Sequence, residues 1–112
     1  MTDCMFCKIV KGEIPAEKVG ETDHAVAFYD IKPQAPVHVL VVPKKHFGSM
    51  NDMPDGSVLG AMAMLAKQVA KELGLDAKGY RAVINTGADG GQTVHHIHLH
   101  LLGGRKLKWP PG

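Results

Sequence analysis

The longest regular pattern in the chain runs over residues 57–73, where Val58, Met62, Leu65, Val69 and Leu73 recur at steps of three and four. Lys67, Gln68, Lys71 and Glu72 fall on the opposite side, so the spacing predicts one long amphipathic helix. Asp55 or Ser57 can cap its start, and Gly74 suits a left-handed stop. Leu59, Met62, Ala63 and Met64 widen the apolar surface beyond one stripe, which means either deep burial or a surface shared with a second subunit. The remaining apolar runs are short and rich in β-formers. Residues 25–29 and 37–42 read as strands on either side of Asp30-Ile31-Lys32-Pro33-Gln34-Ala35-Pro36, whose two prolines exclude a central strand or a helix. Residues 80–85 and 94–102 read as two further strands, joined as a hairpin through the glycine-rich stretch 86–92. Residues 6–11 suit a short helical turn, stopped by Gly12 and by Pro15, which also biases Ile14 toward an extended conformation. The pattern predicts an α+β domain over residues 1–112, with residues 103–112 as an extended or loose tail because Pro110, Pro111 and Gly112 cannot continue a ladder.

Composition narrows the classes of function. A chain of 112 residues supports one hydrophobic core but leaves much surface exposed, so a partner subunit would help. A formal charge of only +2, with basic residues in short groups such as Lys44-Lys45, is too sparse a footprint for a nucleic-acid polymer and favours a nucleotide. No segment has the length needed to cross a bilayer and the start has no signal-like apolar run, so the expected location is the cytoplasm, away from membranes. The two cysteines, Cys4 and Cys7, are too close for a comfortable framework disulfide and too near the start for a thioredoxin-like pair; they read as thiols or metal ligands.

The chemistry concentrates in His96-Ile97-His98-Leu99-His100. On a strand these three imidazoles project from one face while Ile97, Leu99 and Leu101 project from the other, the core face. Thr, Lys or Glu would serve a merely solvated face equally well, so three imidazoles at period two favour function over satisfied surface or interface histidines. Two chemistries remain open. A catalytic metal centre on a His-x-His strand would want a carboxylate close by, and none occurs after Asp89. A nucleophilic imidazole needs no metal: one ring nitrogen is held as a donor and the other attacks, while neighbours stabilise charge on phosphate oxygens. Donors surround the motif accordingly. His38 lies on another strand, Asn85 ends the preceding one, Gly91 and Gln92 belong to a turn whose N–H groups can cradle an anion, and Thr93 can bond a leaving group.

At these residues the sequence closely resembles the histidine triad family, with pattern His-φ-His-φ-His-φ-φ (φ apolar), matched by His96-Ile97-His98-Leu99-His100-Leu101-Leu102. The likeness extends to Phe6-Cys7-Lys8-Ile9, Asp30 to Pro36, Pro43-Lys44-Lys45-His46, Asp89-Gly90-Gly91-Gln92-Thr93-Val94 and Trp109-Pro110-Pro111-Gly112, a combination typical of the Hint branch. The resemblance implies a homodimer of HIT-like fold, with a largely antiparallel sheet, one long helix and a short N-terminal helix. It further implies binding of purine nucleoside monophosphates such as AMP and GMP, and hydrolysis of adenosine phosphoramidates or aminoacyl adenylates to AMP.

Carried over by position, the resemblance makes His98 the nucleophile that forms a nucleotidyl-histidine intermediate, with His100 and Asn85 on the α-phosphate. His96 would orient His98 through its backbone carbonyl, and His38 would stand beside it. Thr93 would sit near the leaving group, Asp30 and Ile31 near ribose and base, and Gly91, with Gln92, near the phosphate. Trp109 would lie near the active site of the partner subunit and shape leaving-group choice. His100, where related uridylyltransferases have Gln, points to hydrolysis rather than transfer. Catalysis would need no cofactor. Many bacterial relatives hold a structural zinc on the positions of Cys4, Cys7, His46 and His96, whereas others lack the cysteines and fold without metal. A nucleotide-binding or scaffold protein with residual hydrolysis is the alternative, and a metal-binding regulator built on the seven histidines is a third.

Overall fold

A computed structural model of the chain describes residues 4–112. Five strands form a single sheet: β1 (Lys18–Glu21), β2 (Ala25–Tyr29), β3 (Val37–Pro43), β4 (Arg81–Val83) and β5 (Leu99–Gly103), in the order β1-β2-β3-β5-β4. Every pairing is antiparallel. The long helix α2 (Ser57–Glu72) crosses one face, and the short helix α1 (Met5–Val10) lies on the other.

Alternation along the strands divides the apolar residues between two cores. Ala25, Ala27, Val39, Val41, Leu99 and Leu101 pack beneath Met62, Leu65, Ala66 and Val69 of α2. Val26, Phe28, Leu40 and Val42 point the other way and meet Phe6 and Ile9 of α1. The histidine face of the sheet is therefore covered as well, where the sequence suggested a single core face.

The local chemistry of the helix ends differs slightly from expectation. Gly56 is the N-cap of α2, and Asp55 Oδ1 accepts from the Ser57 N–H at 2.9 Å and from its hydroxyl at 2.6 Å. Gly74, at φ +75°, turns the chain out of the helix in the left-handed region, as its position predicts. The wide apolar surface divides: Met62 is fully buried and Leu59 half-buried, whereas Met64 is 58% exposed and Ala63 is exposed, on the flank of α2 away from the core.

Three strand boundaries depart from the pattern. β1 carries no clear strand pattern, because Lys18-Val19-Gly20-Glu21 is short, includes a glycine and is irregular in register between Lys18 and Gly20. Gly20 earns its place by proximity, since a Cβ there would stand 2.9 Å from a Val69 methyl of α2. The strand expected over 80–85 is confined to Arg81–Val83. The strand expected over 94–102 begins only at Leu99. The β3–β5 register ends on Val41 with Leu99, so Val42 would next face His98 and then Pro43 would face Ile97; Pro43 has no N–H to give, and the ladder does not continue. The Ile97 N–H bonds instead to the Phe47 carbonyl at 2.7 Å. The first two histidines of the motif thus stand just outside the sheet, on backbone fixed by other means.

Candidate active site

The alternation predicted for the motif persists beyond the ladder. Ile97, Leu99 and Leu101 enter the core under α2. His96 and His98 are buried on the opposite side and His100 is partly buried there, with the Phe6 ring edge-on to His98 at 5.1 Å and to His96 at 5.9 Å between centroids.

Backbone groups fix which nitrogen of each ring carries the proton. His98 Nδ1 lies 2.8 Å from the His96 carbonyl, an acceptor only, so Nδ1 carries the hydrogen and Nε2 keeps the lone pair. No buried side-chain nitrogen or oxygen among the described residues lacks a hydrogen-bond partner. His98 Nε2 has no protein partner and so faces the open cleft. For His38 the order is reversed: the Gln34 N–H donates to Nδ1 at 3.0 Å, so the proton sits on Nε2 and is donated to His100 Nδ1 at 2.9 Å. The proton of His100 is then on Nε2, a donor available to an anion. Asp30 Oδ2 lies 3.4 Å from His38 Nε2 and supports the same polarity.

Burial holds His38, His96 and His98 below the ordinary imidazole range. His100 is pushed down to about 4 by burial first and then by its neighbours His98 and His38, with Asp30 opposing. Near neutral pH these rings are uncharged, so His98 offers a free lone pair in place of a proton.

His98 and His100 open onto a cleft of about 570 Å³, a size usual for small-molecule sites. Asp30, Ile31 and Thr93 also line it. Met5, Phe6, Ile9, Phe28, Leu40 and Val94 form its apolar wall, most of which the sequence did not disclose. The available signal was the spacing of Phe6 and Ile9, which gives the short helix a face of its own. Other expected residues stand back from the cleft. His38 acts behind His100. Gln92 is buried and ties the glycine-rich loop together, donating to the Gly48 and Val94 carbonyls at 2.7 and 3.0 Å and accepting from the Gly87 N–H at 3.0 Å. The Gly91 N–H is taken by the Ala88 carbonyl at 3.0 Å, while Asn85 lies beside Gly91, two residues past β4. Trp109 is 81% exposed on a tail that Arg81 anchors by donating to the Lys108 carbonyl at 2.8 Å.

A second cluster adjoins the first through His96. Cys4, Cys7, His46 and His96 bring one donor atom each within 4.8 Å of one another. His96 Nε2 donates to the Pro43 carbonyl at 2.9 Å, leaving Nδ1 with a lone pair directed at the cysteines. Sulfur-to-nitrogen separations of 3.3 to 3.5 Å and a His46-to-His96 nitrogen separation of 3.2 Å compare with edges of roughly 3.6 and 3.3 Å for a tetrahedral zinc bound by two thiolates and two imidazoles. The donor set fits structural zinc. Burial, and then the neighbouring Cys4, raise the Cys7 thiol above its ordinary range, a cost that a bound cation would offset.

Fold and site together define an antiparallel α+β domain with a neutral histidine cluster at the mouth of an apolar cleft. Residues 11–107 match the HIT domain family. A HIT family hydrolase from Legionella pneumophila has the same fold at a TM-score of 0.95, with 53% identity over 98% of this chain and 100% of that one. A histidine triad nucleotide-binding protein from Candida albicans follows at a TM-score of 0.84 and 38% identity, covering 96% of this chain and 83% of that one. A 14 kDa zinc-binding protein from maize (Zea mays) is 48% identical over 96% of this chain and 87% of its own length. The chain belongs to the HIT domain family, and it has the fold of the family's hydrolases.

Proposed function

We propose that the protein is a purine nucleoside phosphoramidase, hydrolysing adenosine 5′-phosphoramidates or aminoacyl adenylates to AMP through a nucleotide covalently held on His98. The observation that carries this reading is the 2.8 Å bond from His98 Nδ1 to the His96 carbonyl, which leaves Nε2 unprotonated at the cleft. That nitrogen attacks phosphorus, the P–N or P–O bond to the leaving group breaks, and the leaving atom takes up a proton, with the Thr93 hydroxyl on the cleft wall suited to deliver it. Water then attacks the same phosphorus and gives a proton back to Thr93, the P–N bond to His98 breaks, and AMP leaves with the lone pair returned to His98. His100 Nε2–H is the donor for the phosphate oxygens, and the apolar wall suits a purine. Zinc, when bound, would fasten the N-terminal segment and take no part in the chemical steps.

The reading includes a homodimer. β4 is an edge strand whose Ala82 is exposed, and the exposed Met64 and Tyr80 leave apolar surface uncovered in the single chain. Met64→Glu should shift the chain from dimer to monomer in sedimentation equilibrium, and an unchanged mass would remove the dimer from the proposal.

The test is steady-state hydrolysis of a fluorogenic adenosine phosphoramidate by wild type and His98→Ala, with and without EDTA. Activity that survives EDTA and disappears in the variant is expected. Tight AMP binding with no turnover would favour a nucleotide-binding or scaffold role instead.

A further inference from the structure

Helix α1 takes part in both clusters. Cys4 caps it, accepting from the Cys7 N–H at 3.4 Å, and both sulfurs face His96. The same six-residue helix gives Met5, Phe6 and Ile9 to the wall of the cleft. A helix this short has no stability of its own, since isolated helices need about 12–15 residues even to be marginal. Its position depends on the burial of Phe6 and Ile9 and on whatever fastens Cys4 and Cys7 to His46 and His96.

The nucleophile does not share that dependence. His96 is held by its own bond to the Pro43 carbonyl, and the adjacent Ile97 N–H by the Phe47 carbonyl, so the carbonyl that orients His98 stays put without the cysteines. We infer that metal binding at Cys4, Cys7, His46 and His96 sets the affinity of the cleft for nucleotide by fixing α1 as its wall, while leaving the chemical step alone. This rests on the cleft being the nucleotide site. Linkage makes the effect mutual: a nucleotide seated against Phe6 and Met5 tightens metal binding by the same factor.

The experiment measures the dissociation constant of AMP by calorimetry on the full-length protein, zinc-loaded and after chelation, with circular dichroism as a check on folding. AMP should bind about tenfold more weakly to the metal-free form, within the range usual for coupled sites. In the same preparations KM for the phosphoramidate should rise in parallel while kcat changes by less than about twofold. His46→Gln and Cys7→Ser, neither of which lines the cleft, should reproduce the shift in the presence of zinc. Zinc affinity, read by competition with a chromophoric chelator, should rise about tenfold at saturating AMP. Equal AMP affinity with and without metal, a fall in kcat instead of a rise in KM, unfolding on chelation, or no zinc binding at all would each overturn the inference. AMP binding to neither form would overturn the nucleotide reading, and this inference with it.

Discussion

Two imidazole clusters meet at His96, built from the same side chain yet suited to different tasks. In the Cys4–Cys7–His46–His96 cluster a backbone carbonyl takes the His96 proton on the outer nitrogen, and the lone pair turns inward among sulfurs. At the cleft and just behind it, Asp30, His100 and His38 are also close enough to hold a cation, but the Gln34 N–H occupies the lone pair of His38 and keeps the proton on Nε2. A metal there would have to displace that proton from a ring whose other nitrogen is already accepting. One cluster converges acceptors and suits a cation; the other carries a donor toward the cleft and suits an anion. Backbone partners decide the difference, because they fix the tautomers.

The contrast breaks first at His98. Substitution by Ala should lower kcat by roughly 10⁴-fold or more in steady-state hydrolysis, while AMP affinity and thermal midpoint stay near wild type, as for removal of other catalytic nucleophiles. His100→Ala removes the donor to the phosphate and should cost about 10²- to 10³-fold in kcat, comparable to the loss of an oxyanion-hole donor. Loss of activity without loss of AMP binding in His98→Ala, beside a weaker AMP complex in His100→Ala, separates chemistry from recognition.

Acid sharpens the same distinction. The native His100 ring takes its proton only near pH 4, against 6.5 for an ordinary imidazole, so between these values the unfolded chain binds more protons. Stability from this group is complete above pH 6.5 and declines as pH falls toward 4, with a slope of at most about 1.4 kcal/mol per pH unit. The groups facing it are His38, His98 and Asp30, and burial of His38 acts in the same direction. Urea unfolding across this window should give a shallower slope for His100→Gln; an unchanged slope would mean that His100 is not held neutral by the fold. The smallest effect belongs to Trp109, which is exposed and lines neither cluster. Trp109→Ala should alter the ratio of kcat/KM between two leaving groups by about tenfold and leave stability unchanged. Equal ratios would detach the tail from substrate choice.

Much of this was legible in the sequence because periodicity and side-chain chemistry are local. The stripe from Val58 to Leu73 gave the long helix, and alternation around Ile97, Leu99 and Leu101 separated the histidines from the core. The extent of the last strand was not legible, because it depends on a long-range pairing with β3 that ends at Val41 and Leu99. The second core was hidden for a similar reason: Val26, Phe28, Leu40 and Val42 look like strand residues in any register, and only the fold brings Phe6 and Ile9 onto them. Gln92 looked like a ligand-facing donor beside the motif, yet the loop folds its amide inward. The tautomers lay furthest from view, since Gln34, Pro43 and the His96 carbonyl act through backbone atoms that any residue type would supply.

The most direct measurement is mass spectrometry of protein quenched during turnover of an adenosine phosphoramidate with EDTA present. A nucleotidyl adduct is expected on the peptide carrying His98, absent from His98→Ala. Sustained turnover with the adduct on another residue, or with none detectable under single-turnover conditions, would contradict histidine nucleophilic catalysis at this site.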